Sequence, residues 1–160
     1  MAVFQEVNGF IENLSQGAFD LQSGGSTLKV KLGDVDPSVE DVNVALSNAD
    51  NAIAANVSEC PGYSTIADVT LTYSSTVNDL GRYEVNLDQK VIVTDGVDVG
   101  PFQWVYVYAD TTTPVDAIIG YYVLSNPITL NAANGETLTL VFGGSNPGPF
   151  IELGLGTVNP

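Results

Sequence analysis

Apolar residues at the start of the chain keep helical spacing: Phe4, Val7, Ile11 and Leu14 recur at intervals of three and four, and Gly17 supplies a stop. This predicts a short amphipathic helix within residues 1–17. From Ala18 the period changes to two. After the turn-prone "QSGGS", Leu28, Val30 and Leu32 alternate with Lys29 and Lys31, as in a half-buried strand. Residues 34–64 fit both periods: Val39, Val42, Leu46, Ala49 and Ile53 suit a helix, whereas Val42, Val44 and Leu46 suit a strand. Asp36 before Pro37 favours a short helical turn, as an N-cap followed by a first-turn proline. The Asn, Ser and Asp residues of "SNADNAIAANVSECPGYST" predict a long surface excursion over 34–64.

Regular strand signals follow, in "IADVTLTYSS" and then "GRYEVNLDQKVIV". In the second, Tyr83, Val85, Leu87, Val91 and Val93 are expected to face inward, and Glu84, Asn86, Asp88 and Lys90 to face water. Next, "GPFQWVYVYAD" places Phe102, Trp104, Tyr106 and Tyr108 on one face, with Gln103, Val105, Val107 and Ala109 on the other. Two largely apolar faces predict a central strand covered on both sides, so the four rings are assigned to the core rather than to an open binding stripe. "AIIGYYVL", "PITL", "ETLTLVF" and "PFIELGL" complete the pattern. Short strands separated by Gly, Pro and Asn turns predict an all-β fold, an antiparallel β-sandwich or jelly-roll-like barrel with a short N-terminal helix.

Composition narrows this picture. A chain of 160 residues suits one core, and a single domain over 1–160 is expected. The 44% hydrophobic content argues against wholesale disorder, while a net charge of −15 leaves a surface of acidic and neutral polar groups. Lys29, Lys31, Arg82 and Lys90 are too few to neutralise a phosphate backbone, so neither nucleic acid nor an anionic membrane surface is an expected partner. No apolar run approaches the roughly 20 residues of a membrane span. The first residues lack a basic region followed by an apolar stretch, so the chain is expected to fold in the cytoplasm where it is made. The single cysteine, Cys60, precludes an internal disulfide, and beside Pro61 with no histidine in the chain it is read as inert.

Candidate chemistry is sparse. The absence of histidine excludes Ser-His nucleophilic catalysis and His-based zinc sites. The 19 acidic residues permit a two-carboxylate glycosidase, but most fall at outward strand positions or in turns, where solvated charge is the ordinary reading. "GDVDPSVED" and "TDGVDVG" lack the spacing and closing Glu of a calcium loop and read as acidic turns. "FGGSNPGPF" has no Lys and leads into no helix, so it is a turn rather than a phosphate cradle. No catalytic residue, metal ligand or cofactor is assigned.

Taken together, "FQEVNGFIENLSQGAFDL" running into "STLKVKLGD", then "GPFQWVYVYADTTTP" with "AIIGYYVLSNPITLNAANGETLTLVF", resembles the capsid decoration, or cement, proteins of tailed bacteriophages, small virion structural proteins encoded beside the major capsid gene. The resemblance is one of pattern over nearly the whole chain, and the Asn-rich middle and the "SNPGPFIELGLGTVNP" tail depart from it. It implies a module on the outer capsid surface that binds the major capsid protein and stabilises the shell, with a homotrimer expected by analogy. Val39, Val42, Val44 and Leu46, lying among uncharged polar residues outside the secure sandwich pattern, are the expected partner contacts. The alternative is a carbohydrate-binding or host-adhesion β-sandwich that uses exposed Tyr and Trp rings.

Overall fold

The computed structural model of the chain describes residues 4–18, 20–37, 53–66, 68–112, 115–142 and 150–153. Among the described residues, ten strands and one α-helix follow in the order β1 (Phe4–Glu6), α1 (Gly9–Ser15), β2 (Leu28–Gly33), β3 (Thr70–Leu71), β4 (Tyr73–Val77), β5 (Tyr83–Leu87), β6 (Lys90–Val93), β7 (Val99–Thr112), β8 (Val115–Leu130), β9 (Thr137–Leu140) and β10 (Ile151–Leu153). They form three antiparallel sheets, ordered β1-β8-β7-β2-β3, β10-β5-β4 and β6-β9. The fold is all-β and sandwich-like. Buried side chains from all three sheets join one hydrophobic cluster, including Val30 and Val107, Val85 and Ile151, and Ile92 and Leu140.

The long β7–β8 hairpin organises the main sheet, because its Val, Ile and aromatic content suits a strand pair covered on both faces. Register assigns those faces. Leu32, Val105, Tyr122 and Phe4 are cross-strand neighbours in one row. There the Phe4 ring lies 5.0 Å from Tyr122 and 4.6 Å from Phe150, and Phe142 closes the cluster at 5.9 Å from Tyr122. Phe150 immediately precedes β10, so this face meets the second sheet. Gly120 is required at the β1 edge: a Cβ there would collide with the Gln5 carbonyl and the Phe4 ring.

The adjacent row, Lys31, Tyr106, Tyr121 and Gln5, lies on the opposite face. A strap covers it. Ile53 bridges Ala117 on the edge of β8 that does not meet β7, and the Cys60 N–H donates to the Leu32 carbonyl (2.9 Å) on the far edge of β2. Residues 53–60 therefore cross the sheet face, burying Ala54, Val57 and Cys60. Lys31 Nζ donates to the Ala54 carbonyl (2.6 Å) and pairs with Glu59 (3.1 Å), and the Tyr63 hydroxyl donates to the Val30 carbonyl (2.6 Å).

Several expectations need correction. The N-terminal helix does not fill residues 1–17: Phe4 belongs to β1, and α1 begins at Gly9 and ends at Ser15. Its inward residues are Phe10 and Asn13, while Ile11 is 57% exposed. Pairing of β1 with β8 captures the first apolar position and shifts the helix phase. The end of the excursion, 53–60, is a core strap rather than a surface loop, because Ala54, Val57 and Cys60 find the face of the main sheet. "GRYEVNLDQKVIV" is two strands in different sheets, broken at Asp88 and Gln89, with the Asp88 N–H bonded to the Thr72 carbonyl. The break reverses the phase, so Ile92 is buried while Val91 and Val93 are exposed. "AIIGYYVL" and "PITL" belong to the one strand β8.

Candidate interaction surface

The aromatic row is the first candidate the sequence raised. Trp104, Tyr106 and Tyr108 do share a face, opposite Gly33, Lys31 and Lys29. Phe102 pairs with Ile128 beyond a register shift. Phe102, Tyr106 and Tyr108 are buried, whereas Trp104 is half-buried and packs against the core from its margin. The covering layer over Tyr106 and Tyr108 is the polar-edged strap rather than a second apolar sheet. Burial, reinforced by the neighbouring Tyr108, raises the Tyr63 phenol far above its ordinary range, and burial raises Tyr108 as well. Burial likewise raises Tyr121, with Asp36 adding to the shift, and the Tyr121 hydroxyl donates to Gln5 Oε1 at 2.9 Å. A closed row of this kind holds the strap down and offers no open Tyr106 or Tyr108 face to a ligand.

Titratable groups collect at the base of the β7–β8 turn. Lys29 Nζ lies 2.7 Å from Asp110 Oδ2, and this hydrogen bond holds the ammonium above its ordinary pKa. Burial, then the Asp110 charge, raises the Asp116 carboxyl. Asp116 also carries a left-handed φ of 53°, where a short polar side chain is tolerated best. One carboxylate is thus neutralised by a lysine while its neighbour is pushed toward the acid form, an arrangement that ties β2 to the hairpin. Among the described residues, no three or more Asp, Glu or Cys side chains group closely enough to hold a metal ion. Cys60 is buried, and burial with the Asp34 charge pushes its thiol up to about 12. It is a core group, not a nucleophile.

Val39, Val42, Val44 and Leu46, the expected partner contacts, lie outside the described residues, as do 143–149 of the Gly-rich turn. Other exposed aliphatic groups emerge where the sequence pattern did not place them. Leu80 (76% exposed) and Val77 stand at the β4–β5 turn. Asn78 braces that turn, its Oδ1 accepting from the N–H groups of Leu80 (2.9 Å) and Arg82 (3.0 Å) while its Nδ2 donates to Glu84. Val115 flanks the β7–β8 turn, and Val91, Val93 and Val141 mark the β6–β9 ribbon. The available signal for the ribbon was the polar "DQ" before "KVIV", a strand-breaking pair whose effect on phase depends on the tertiary path. No described helix is long and apolar enough to cross a membrane. No protein-family model matches the chain, and comparisons with curated proteins and with solved structures also find no match.

Proposed function

We propose that this protein is a virion structural protein, a capsid decoration or cement protein that binds the outer surface of a major capsid shell and stabilises it. The observation that carries the reading is the surface itself. An all-β scaffold with a net charge of −15 exposes Val91, Val93 and Val141 together on one ribbon, which suits adhesion to another protein rather than chemistry on a small molecule. Binding to the assembled shell and not to its free subunits would stabilise the shell by mass action, without any reacting group. Synthesis in the host cytoplasm, attachment at the capsid surface and a homotrimer at three-fold positions belong to the same proposal, the last on grounds of symmetry and family analogy.

The test is sedimentation with capsids built from a major capsid protein encoded in the same genome. Co-sedimentation at a fixed copy number and a raised capsid melting temperature are expected; a protein that stays in the supernatant defeats the reading. Half-buried Trp104 supports one rival, a glycan-binding module. A glycan-dependent shift of its fluorescence, without capsid binding, would establish that rival.

A further inference from the structure

We propose that the outer face of the β6–β9 ribbon is the surface that seats on the shell, and that its occupant is a flat, apolar, acid-free patch of the major capsid protein. This assignment rests on the decoration reading above. In the ribbon, Lys90 pairs with Leu140, Val91 with Thr139, Ile92 with Leu138 and Val93 with Thr137. Partners across an antiparallel pair share a face. Ile92 and Leu140 are buried, so their face is the inner one, and Val91, Val93, Thr137 and Thr139 point outward, with Val141 exposed just beyond β9.

Two features set this face apart. It is uncharged in a chain that carries 19 acidic residues against four basic ones. Lys90, the only ionisable residue within the two strands, lies on the inner face and donates to Asp68 Oδ2 at 2.5 Å. An outward strand face ordinarily carries charged groups that keep it in water; here every position is an uncharged β-branched residue, and the hydroxyls of Thr137 and Thr139 are the polar groups on it. Approach of another protein at this face requires no carboxylate to be stripped of water.

Charge and size choose the occupant. A second copy seated face to face on this ribbon, with no shell between the two, would bring another −15 against the first, whereas a shell subunit need not. Five side chains are also far fewer than the roughly 20–30 residues a side of a stable free-standing interface. They suit one contact among several made at once on a lattice, where linkage multiplies weak contacts.

The experiment compares wild type, Val91→Thr/Val93→Thr and Leu80→Ser for retention on capsids assembled without the protein, at about 0.1 and 1 M sodium chloride. Threonine keeps the β-branched shape, so melting temperatures should be unchanged. The double variant should lose at least tenfold in occupancy, Leu80→Ser should bind as wild type, and wild-type occupancy should survive high salt, where screening shortens to about 3 Å. Wild type bound and the double variant equally bound overturns the ribbon assignment alone. Wild type that fails to bind removes the decoration reading and the assignment with it. A free oligomer that the double variant dissociates gives the face to a second copy, and also overturns the proposal.

Discussion

Replacing Asn13 by leucine should stabilise the fold. Asn13 sits on the inner side of α1 with 0% exposure, and neither its amide nitrogen nor its oxygen has a hydrogen-bond partner. Leaving a buried polar group unsatisfied costs about 1–3 kcal/mol. Asparagine is also a poorer helix former than leucine by a few tenths of a kcal/mol. Leucine branches at the same carbon, so two methyl groups take the space of the amide atoms. Some crowding from the larger side chain offsets the gain, leaving about 2 kcal/mol. Urea unfolding is the assay. With a slope of about 1–3 kcal/mol/M, the midpoint should rise by about 1 M with the slope unchanged, and the melting temperature by about 4–8 °C. Asn13→Ala should stabilise by less, because it removes the amide but leaves a small void. If both variants lower the midpoint, the amide is satisfied in the folded protein and the reasoning fails.

Three further outcomes follow from burial and hydrogen bonding. Phe102→Ala, at a fully buried ring, should cost about 3–5 kcal/mol, and Trp104→Ala, at the core margin, about half as much; equal losses in urea unfolding would contradict the assigned burial. Lys31→Met keeps the packing of the stem but removes one of the two hydrogen bonds to the Ala54 carbonyl, which keeps the Val57 N–H at 3.3 Å, and should loosen the strap by about 1 kcal/mol. Hydrogen exchange at the Cys60 amide should then quicken while the β7–β8 ladder stays protected, and an unchanged Cys60 rate would count against the strap's dependence on Lys31. Cys60 should resist a thiol reagent at pH 8 until the protein unfolds. Because its folded pKa lies above its ordinary 9.0, the stability it contributes is complete below pH 9 and declines as pH climbs toward about 12. Cys60→Ala should flatten that alkaline decline; an identical pH profile would refute the assignment.

Alternation was enough to predict the all-β class and the positions of β2 and β7, because a period of two is a local property that places Leu28, Val30 and Leu32 on one face whatever lies beyond. It also put Trp104, Tyr106 and Tyr108 on one side. What covers that side was not legible. The strap over 53–60 is drawn inward by partners far along the chain, Ala117 and Leu32, and Lys31 reads as an outward residue until the Ala54 carbonyl arrives above it. The phase of β6 was lost for a similar reason: the break at Asp88 and Gln89 has no consequence until β9 pairs with β6 and turns Ile92 inward and Val91 and Val93 outward. Within an unbroken strand local periodicity thus decided which residues share a face, and long-range pairing decided where the strands break, which face meets the core and which stays exposed.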